Sequence, residues 1–214
     1  MDLGIKGRVA LVMGASKGIG RGIAASLARE GARVAIASRS RERLDATVEE
    51  LTGEVSAFVA DAGDLDRLAE LVGEIEADLG PIDILVANTG GPPPGTALDN
   101  SIAEWEEAYR SLVLGVRVLV EGVVPGMRER GWGRIVNVGS SSTIEPIPFL
   151  TLSNANRLAA VGFLKTLASE VAGDGITVNT IATGKFGTDR IVEHLGSLEK
   201  AEELARETVP AARL

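Results

Sequence analysis

The chain has 214 residues, of which 45% are hydrophobic and 24% are charged, with a formal net charge of -8. This size and composition are typical of a soluble globular domain, and the negative charge disfavours a nucleic-acid partner. The lack of cysteine and the single histidine exclude disulfides, thiol catalysis and zinc–thiolate sites, and we expect no metal. With neither a signal-peptide pattern nor an apolar run of membrane-spanning length, we expect a cytoplasmic protein with no membrane partner.

Short apolar segments alternate with helical patterns along the chain, which indicates an α/β protein. The predicted strands cover residues 8–13, 33–37, 55–60, 82–87, 134–138 and 176–181. The predicted helices cover residues 21–30, 41–51, 64–79, 102–130, 152–172 and 189–207, with a bend expected near Pro125. Right-handed crossovers join such strands, so we predict a Rossmann-type, doubly wound parallel sheet in a single domain of residues 1–214, with strands buried on both faces.

A glycine-rich turn joins the first strand to the first helix. Its glycines permit a sharp turn and let a pyrophosphate approach the backbone, and the free N–H groups at the helix start attract phosphate. The turn therefore predicts a dinucleotide site, with a mere tight turn as the less favoured alternative, and it lacks the Lys and Ser/Thr of a Walker loop. We assign these residues of the turn to cofactor contact: Gly14, Ser16, Lys17, Gly18, Ile19 and Gly20.

The end of the second strand indicates which dinucleotide is bound. No acidic residue stands there to accept hydrogen bonds from an adenosine ribose, and Arg39 follows instead. Arg39 and Lys17 supply positive charge where the 2′-phosphate of NADP would lie, so we predict NADP(H) as the cofactor rather than NAD(H). The alternative is that both are solvated surface cations.

These features resemble the short-chain dehydrogenase/reductase family, especially its 3-oxoacyl-carrier-protein reductases, over nearly the whole chain. Besides the glycine turn, the segment 134–140, which ends in Ser140, is similar to the family's strand before its catalytic serine. The resemblance implies that the family's last helix and strand are lacking from this chain. It also implies further cofactor contacts from five residues that follow strands three, four and six, namely Asp61, Ala62, Asn88, Gly90 and Thr188.

The resemblance breaks at the catalytic residues. The family uses a tyrosine thirteen residues after the serine, which exchanges a proton with the substrate, and a lysine four residues later, which lowers the tyrosine pKa and holds the nicotinamide ribose. Counting from Ser140, these positions hold Ser153 and Arg157, and the family's supporting asparagine aligns with Leu112. We interpret the lone tyrosine, Tyr109, as a packing or interface residue rather than a displaced acid.

Three functions stay open at this point. The first is an NADP(H)-dependent oxidoreductase acting on a ketone, a 3-oxoacyl carbonyl or an alcohol, with Ser140, Ser153 and Arg157 as an altered catalytic site. The second is a catalytically impaired NADP(H)-binding protein, a sensor or subunit partner, with Ser140 merely capping a turn. In the third, Arg157 binds an anionic acyl or carboxylate substrate.

The resemblance favours the first function, with a small carbonyl or acyl molecule as the substrate. It also implies a homo-oligomer that forms through the helices predicted at residues 102–130 and 152–172.

Overall fold

The computed structural model describes residues 2–214, and the side chains of all of these except residues 190, 193 and 194. Within that part of the chain, six strands form a parallel sheet in the order β3-β2-β1-β4-β5-β6. The strands are β1 (Val9–Met13), β2 (Arg33–Ser38), β3 (Val55–Val59), β4 (Ile82–Ala87), β5 (Gly133–Val138) and β6 (Ile176–Ile181). The predicted Rossmann-type parallel sheet is confirmed.

The helices follow the strands as predicted. They are α1 (Gly18–Arg29), α2 (Arg41–Glu50), α3 (Leu65–Leu79), α4 (Ile102–Tyr109), α5 (Gly115–Arg130), α6 (Thr151–Val171), α7 (Asp189–Leu195) and α8 (Leu198–Thr208). The chain separates into a first unit that ends at Ala182 and holds the sheet, and a second unit, Thr183–Leu214, that holds α7 and α8. The prediction of a single domain for residues 1–214 stays a prediction.

Two apolar layers sandwich the sheet. Residues of α3, α5 and α6, among them Leu71 and Leu119, are buried on one face, and residues of α1 and α2, among them Ala24 and Leu44, are buried on the other. Every residue of β1 and β4 is buried, as expected for strands between two helical layers. The expectation of burial on both faces is wrong for β3 and β6. These are the two edge strands, and each has a neighbouring strand on one side only.

The strand order creates a crevice beside β1. The chain leaves β1 through α1 towards β2, and α3 later returns it to β4 on the other side of β1. The connections that follow β1 and β4 therefore run in opposite directions. In such a sheet ligands bind at this switch point, beyond the carboxyl ends of the strands.

Three predicted helices differ in detail. The segment 102–130 is interrupted by a π-helical turn at Arg110–Leu114, whereas Pro125, where a bend was expected, lies inside α5. The segment 189–207 divides at Gly196, which is left-handed with a φ of +88°, and Ser197 caps α8 by accepting a hydrogen bond from the Lys200 N–H. The first helix begins at Gly18 rather than at residue 21, because the glycine turn itself forms its first turn.

A buried carboxylate ties the amino-terminal edge of the sheet together. Asp83 of β4 is 6% exposed and accepts hydrogen bonds from Arg8 Nη1 (3.2 Å), the Val9 N–H (3.2 Å) and Arg130 Nε (3.3 Å). The Arg8 guanidinium also lies 4.1 Å from the centre of the Trp132 ring, a cation–π contact. One side chain thus joins β1, β4 and the end of α5.

Replacing this charge is expected to destabilise the fold. Asp83→Asn should lower the free energy of unfolding by about 2 kcal/mol, because buried hydrogen bonds to a charged group are lost or weakened. Urea denaturation followed by circular dichroism measures the change. Asp174→Asn is the matched control, since Asp174 pairs with Arg128 at 2.8 Å on the surface and should cost less than about 1 kcal/mol. Equal losses in the two variants would contradict this role of Asp83.

Candidate active site

The turn after β1 is tightly folded against the end of β4. Asn88 donates two hydrogen bonds from Nδ2, to the carbonyl oxygens of Met13 (3.1 Å) and Gly14 (3.2 Å). Gly14 has a φ of +58°, and a Cβ there would lie 2.7 Å from the Asn88 carbonyl oxygen. A Cβ on Gly20 would collide with the Gly14 carbonyl oxygen. Glycine is therefore required at both positions for the turn to adopt this shape.

The turn leads directly into the start of α1. Gly18, with a φ of +57°, is the first residue of the helix. Lys17 occupies the N-cap position, and a lysine side chain cannot accept a hydrogen bond from the N–H groups of the first turn. The N–H groups of the first turn, including that of the half-buried Ile19, have no acceptor within the helix. The half-buried Ser16 lies next to α2, where Thr47 Oγ1 is 3.3 Å from its carbonyl oxygen. A cradle of this kind suits a pyrophosphate.

The predicted adenosine side lies beyond β2 and β3. Met13 and Ala37 are paired across β1 and β2, so the turns that carry Lys17 and Arg39 begin side by side. The Arg39 side chain is 82% exposed, and its Nε lies 3.8 Å from Asp61 Oδ2. An exposed arginine beside a carboxylate can turn to a phosphate with little cost.

Hydrogen bonds that the sequence does not indicate hold the loop after β3 in place. Asp61 Oδ1 accepts a hydrogen bond from the Gly63 N–H (2.9 Å), and the Gly63 carbonyl accepts one from Arg110 Nε (2.6 Å) in the π-helical turn. The Ala62 carbonyl packs against Gly115, where no Cβ could be placed. The π-helical turn and the first residue of α5 therefore hold the loop that carries two predicted cofactor residues.

Ser140 follows β5, where the catalytic serine was predicted. Its Oγ accepts a hydrogen bond from the Ser142 N–H (3.1 Å) and so caps a short 3₁₀ turn, Ser141–Thr143. This is the structural role that was weighed as the alternative. The hydroxyl hydrogen of Ser140 stays available for donation, so the capping bond does not prevent a contact with a substrate oxygen.

Ser153 and Arg157 form a pair on α6. Ser153 is 7% exposed, and its Oγ accepts a hydrogen bond from Arg157 Nε at 3.1 Å. The Arg157 Nη1 donates to the Val138 carbonyl at 3.1 Å, two residues before Ser140. The predicted residues thus come together around the end of β5. Leu112, at the asparagine position, is 3% exposed within the π-helical turn.

The loop before α6 is tied both to α6 and to the loop that follows β4. Asn154 Nδ2 donates to the Ile147 carbonyl at 2.9 Å, and the Gly95 N–H donates to the Phe149 carbonyl at 2.8 Å. Phe149 is 66% exposed and has a φ of +61°, a conformation that costs energy for an aromatic residue. A single sequence gives no signal for these contacts, which depend on the tertiary arrangement of the loops.

The remaining predicted residues lie at other loops. Gly90 is exposed in the loop that follows β4. Thr188 belongs to the second unit and stands at the N-cap position of α7, so its contact with a cofactor stays a prediction.

Among residues with described side chains, no group of three histidines or carboxylates could hold a metal ion. No helix in the described part of the chain is both long and apolar enough to cross a membrane.

The comparisons with known proteins agree with this architecture. The family model described as short chain dehydrogenase matches residues 8–195. The 3-oxoacyl-[acyl-carrier-protein] reductase FabG of Haemophilus influenzae is 35% identical over 98% of this chain and 86% of its own length. Nodulation protein G of Azospirillum brasilense is 33% identical over 97% of this chain and 85% of its own length.

Solved structures give the same result. The L-sorbose reductase of Gluconobacter frateurii, complexed with NADPH and L-sorbose, superposes with a TM-score of 0.93 at 31% identity and covers 100% of this chain and 86% of its own. A variant of actinorhodin polyketide ketoreductase with NADPH superposes with a TM-score of 0.90 at 33% identity, covering 96% of this chain and 84% of its own.

The glycine turn yields a test with a matched control in the same helix. Gly20→Ala is expected to weaken binding of NADPH, the reduced form of the cofactor predicted from the sequence, at least about tenfold, because a Cβ there displaces the Gly14 carbonyl. Gly22→Ala should leave the affinity unchanged, since nothing lies within 4 Å of a Cβ at that position. Titration of NADPH fluorescence measures both. Equal effects of the two substitutions would contradict the role of the turn.

Proposed function

The chain belongs to the short-chain dehydrogenase family, and on that premise we propose that it is an NADP(H)-dependent oxidoreductase that interconverts a small carbonyl compound and its alcohol. The observation that carries the proposal is the turn after β1, which Asn88 holds in a shape that leaves no room for a Cβ on Gly14 or Gly20. A turn of this shape suits the close approach of a phosphate group to the backbone.

The residues present suit NADP(H). The turn and the first N–H groups of α1 would hold the pyrophosphate, and Lys17 and Arg39 would hold the 2′-phosphate. Asp61 and Ala62 would border the adenine. On the nicotinamide side the proposed contacts are Asn88, Gly90 and Thr188. When bound, NADPH supplies a hydride to the carbonyl carbon of the substrate.

The side chains around the end of β5 can form hydrogen bonds to the substrate, but none of them readily releases a proton to it. Ser140 can donate its hydroxyl hydrogen to the substrate oxygen and so favour negative charge there. Arg157 keeps its proton at neutral pH, and a serine hydroxyl is far less acidic than a tyrosine. The proton that the new alcohol requires would therefore come from water or from the substrate itself, and we expect slow turnover.

The pair on α6 favours a second candidate function, a catalytically impaired NADP(H)-binding protein. Arg157 donates to Ser153 and to the Val138 carbonyl, so its guanidinium is engaged within the protein. This arrangement suits a structural role for Arg157. It gives less support to the third possibility, an anionic substrate bound by Arg157.

The rate of NADPH oxidation distinguishes the oxidoreductase from the catalytically impaired binding protein. NADPH oxidation with a panel of ketones and 3-oxoacyl thioesters should be slow and nearly independent of pH between about 6 and 9, because neither serine nor arginine titrates there. The double variant Ser153→Tyr with Arg157→Lys should be at least about tenfold faster, with a rate that now varies with pH. Circular dichroism checks that the variant is folded. NADPH binding without oxidation, in the wild type and the folded variant alike, would contradict the enzymatic proposal and select the second candidate.

The surface of the long helices supports the proposed homo-oligomer. Three apolar side chains are exposed there, Ile102 (74%) and Tyr109 (47%) of α4 and Leu158 (54%) of α6. Multi-angle light scattering should give the mass of two or more chains at micromolar concentration. Tyr109→Arg with Leu158→Arg should reduce that mass to one chain, whereas Leu198→Arg, at an exposed leucine of α8, should not. A wild-type monomer would contradict the proposal.

A further inference from the structure

The loop after β4 and the loop before α6 carry exposed apolar side chains and no basic residue. We infer that the substrate of the proposed oxidoreductase is a neutral carbonyl compound with an apolar chain, and that Phe149 is the residue that selects it. The inference rests on the proposed function and narrows it, because it rules out an anionic acyl or carboxylate substrate.

The loop before α6 connects the two predicted catalytic serines. It starts after Ser140 and leads into α6 at Thr151, two residues before Ser153. The Gly95 N–H donates to the Phe149 carbonyl at 2.8 Å, and the Thr151 N–H donates to the Gly95 carbonyl at 3.4 Å. These two bonds tie the loop after β4 to the loop before α6. Both loops follow carboxyl ends of parallel strands, which is where ligands bind in such sheets.

Three large apolar side chains on these two loops are mostly exposed. They are Leu98 (94%), Ile144 (82%) and Phe149 (66%). Leu98 is presented by a closed turn, in which the Thr96 N–H donates to Asp99 Oδ2 at 3.1 Å. Exposed apolar side chains on adjoining loops beside a candidate site are typical of a surface that a ligand covers. An apolar ligand that covers them removes their surface from water, which favours binding.

Phe149 is held in a conformation that its residue type disfavours. Its φ of +61° is left-handed, where the Cβ of an L-residue lies too close to the following carbonyl oxygen. The strained backbone directs the Phe149 carbonyl to the Gly95 N–H, a bond that a glycine at position 149 could also make without strain. Burial of the mostly exposed ring offsets little of this cost. The ring therefore adds little to the stability of the fold and is available to an apolar ligand.

The charges of the two loops are all negative. Residues 88–104 and 140–154 contain no lysine or arginine, whereas they contain Asp99, Glu104 and Glu145. Asp99 and Glu145 are exposed. A carboxylate or phosphate on the substrate would be repelled by these side chains, and a neutral carbonyl compound would not. Charge and apolar surface thus favour the same class of substrate.

Isothermal titration calorimetry on the full chain, with and without NADP⁺, measures the affinity for ketones without turnover, because NADP⁺ cannot reduce a ketone. 2-Octanone should bind at least about tenfold more tightly than 2-butanone, since its longer chain buries further methylene groups. Methyl 3-oxooctanoate should bind at least about tenfold more tightly than 3-oxooctanoate, which carries a negative charge. An affinity that does not depend on chain length would overturn the inference. A carboxylate bound as tightly as its ester would also overturn it, in favour of an anion held by Arg157.

These measurements separate the inference from the proposed function. A chain that binds 2-octanone as predicted, but never oxidises NADPH, supports the inference about the ligand and overturns the enzymatic proposal. A chain that oxidises NADPH equally well with 3-oxooctanoate and with its methyl ester overturns the inference and supports the enzymatic proposal.

Two substitutions of Phe149 separate the ring from the backbone strain. Phe149→Gly and Phe149→Ala should both weaken binding of 2-octanone at least about fivefold and that of 2-butanone by less than about twofold. The urea midpoint of unfolding should be higher for Phe149→Gly than for Phe149→Ala, because only glycine relieves the strain of the positive φ. Leu3→Gln is the control, since Leu3 is an exposed leucine (55%) of the amino-terminal segment, and it should change neither affinity.

Two results with these variants would overturn the role of Phe149. One is an unchanged affinity for 2-octanone in both variants. The other is an unchanged affinity for 2-octanone together with a lower mass by light scattering, which would show that a second copy of the chain covers the ring instead of a substrate.

Discussion

The amide of Asn88 makes the contact on which the rest of the site depends. Its two hydrogen bonds join the end of β4 to the carbonyls of Met13 and Gly14 at the end of β1, across the point where the strand order reverses. The same packing leaves no space for a side chain on Gly14 or Gly20. The start of α1 is thereby held beside the crevice, where its free N–H groups can meet a phosphate.

The fold accommodates serine and arginine at the two positions of α6 where the resemblance to the family implies a tyrosine and a lysine. Ser153 and Arg157 lie one helical turn apart, a spacing that allows the hydrogen bond between them. Neither group can exchange a proton near neutral pH, and the arginine also secures the Val138 carbonyl at the end of β5. In the proposed function, dinucleotide binding and proton transfer therefore depend on different residues.

The sequence predicts the parts of this structure that local patterns determine. The bounds of β4 and β6 match short β-branched or apolar segments of the sequence, and the parallel direction of the strands follows from their alternation with helices. The position of the glycine turn follows from its place between a strand and a helix. The apolar residues of the segment 102–130 repeat in much the same way through an α-helix and a short π-helical turn, so the turn at Arg110–Leu114 could not be predicted.

Contacts between distant residues also escape a single sequence. The bond from Arg110 to Gly63 and that from Arg157 to Val138 each join segments that come together only in the folded chain. Phe149 has a positive φ although it is not a glycine, so the residue type gives no sign of this conformation. These contacts hold the loops of the site in place, so the motifs alone indicate the residues proposed to contact a ligand and miss those that position them.

A crystal structure of the chain grown with NADPH tests the central claim most directly. The pyrophosphate is expected against the backbone of the turn from Gly14 to Gly20, with the Arg39 guanidinium turned from Asp61 to the 2′-phosphate. A nucleotide bound elsewhere, or a crevice that stays empty at saturating NADPH, would contradict it.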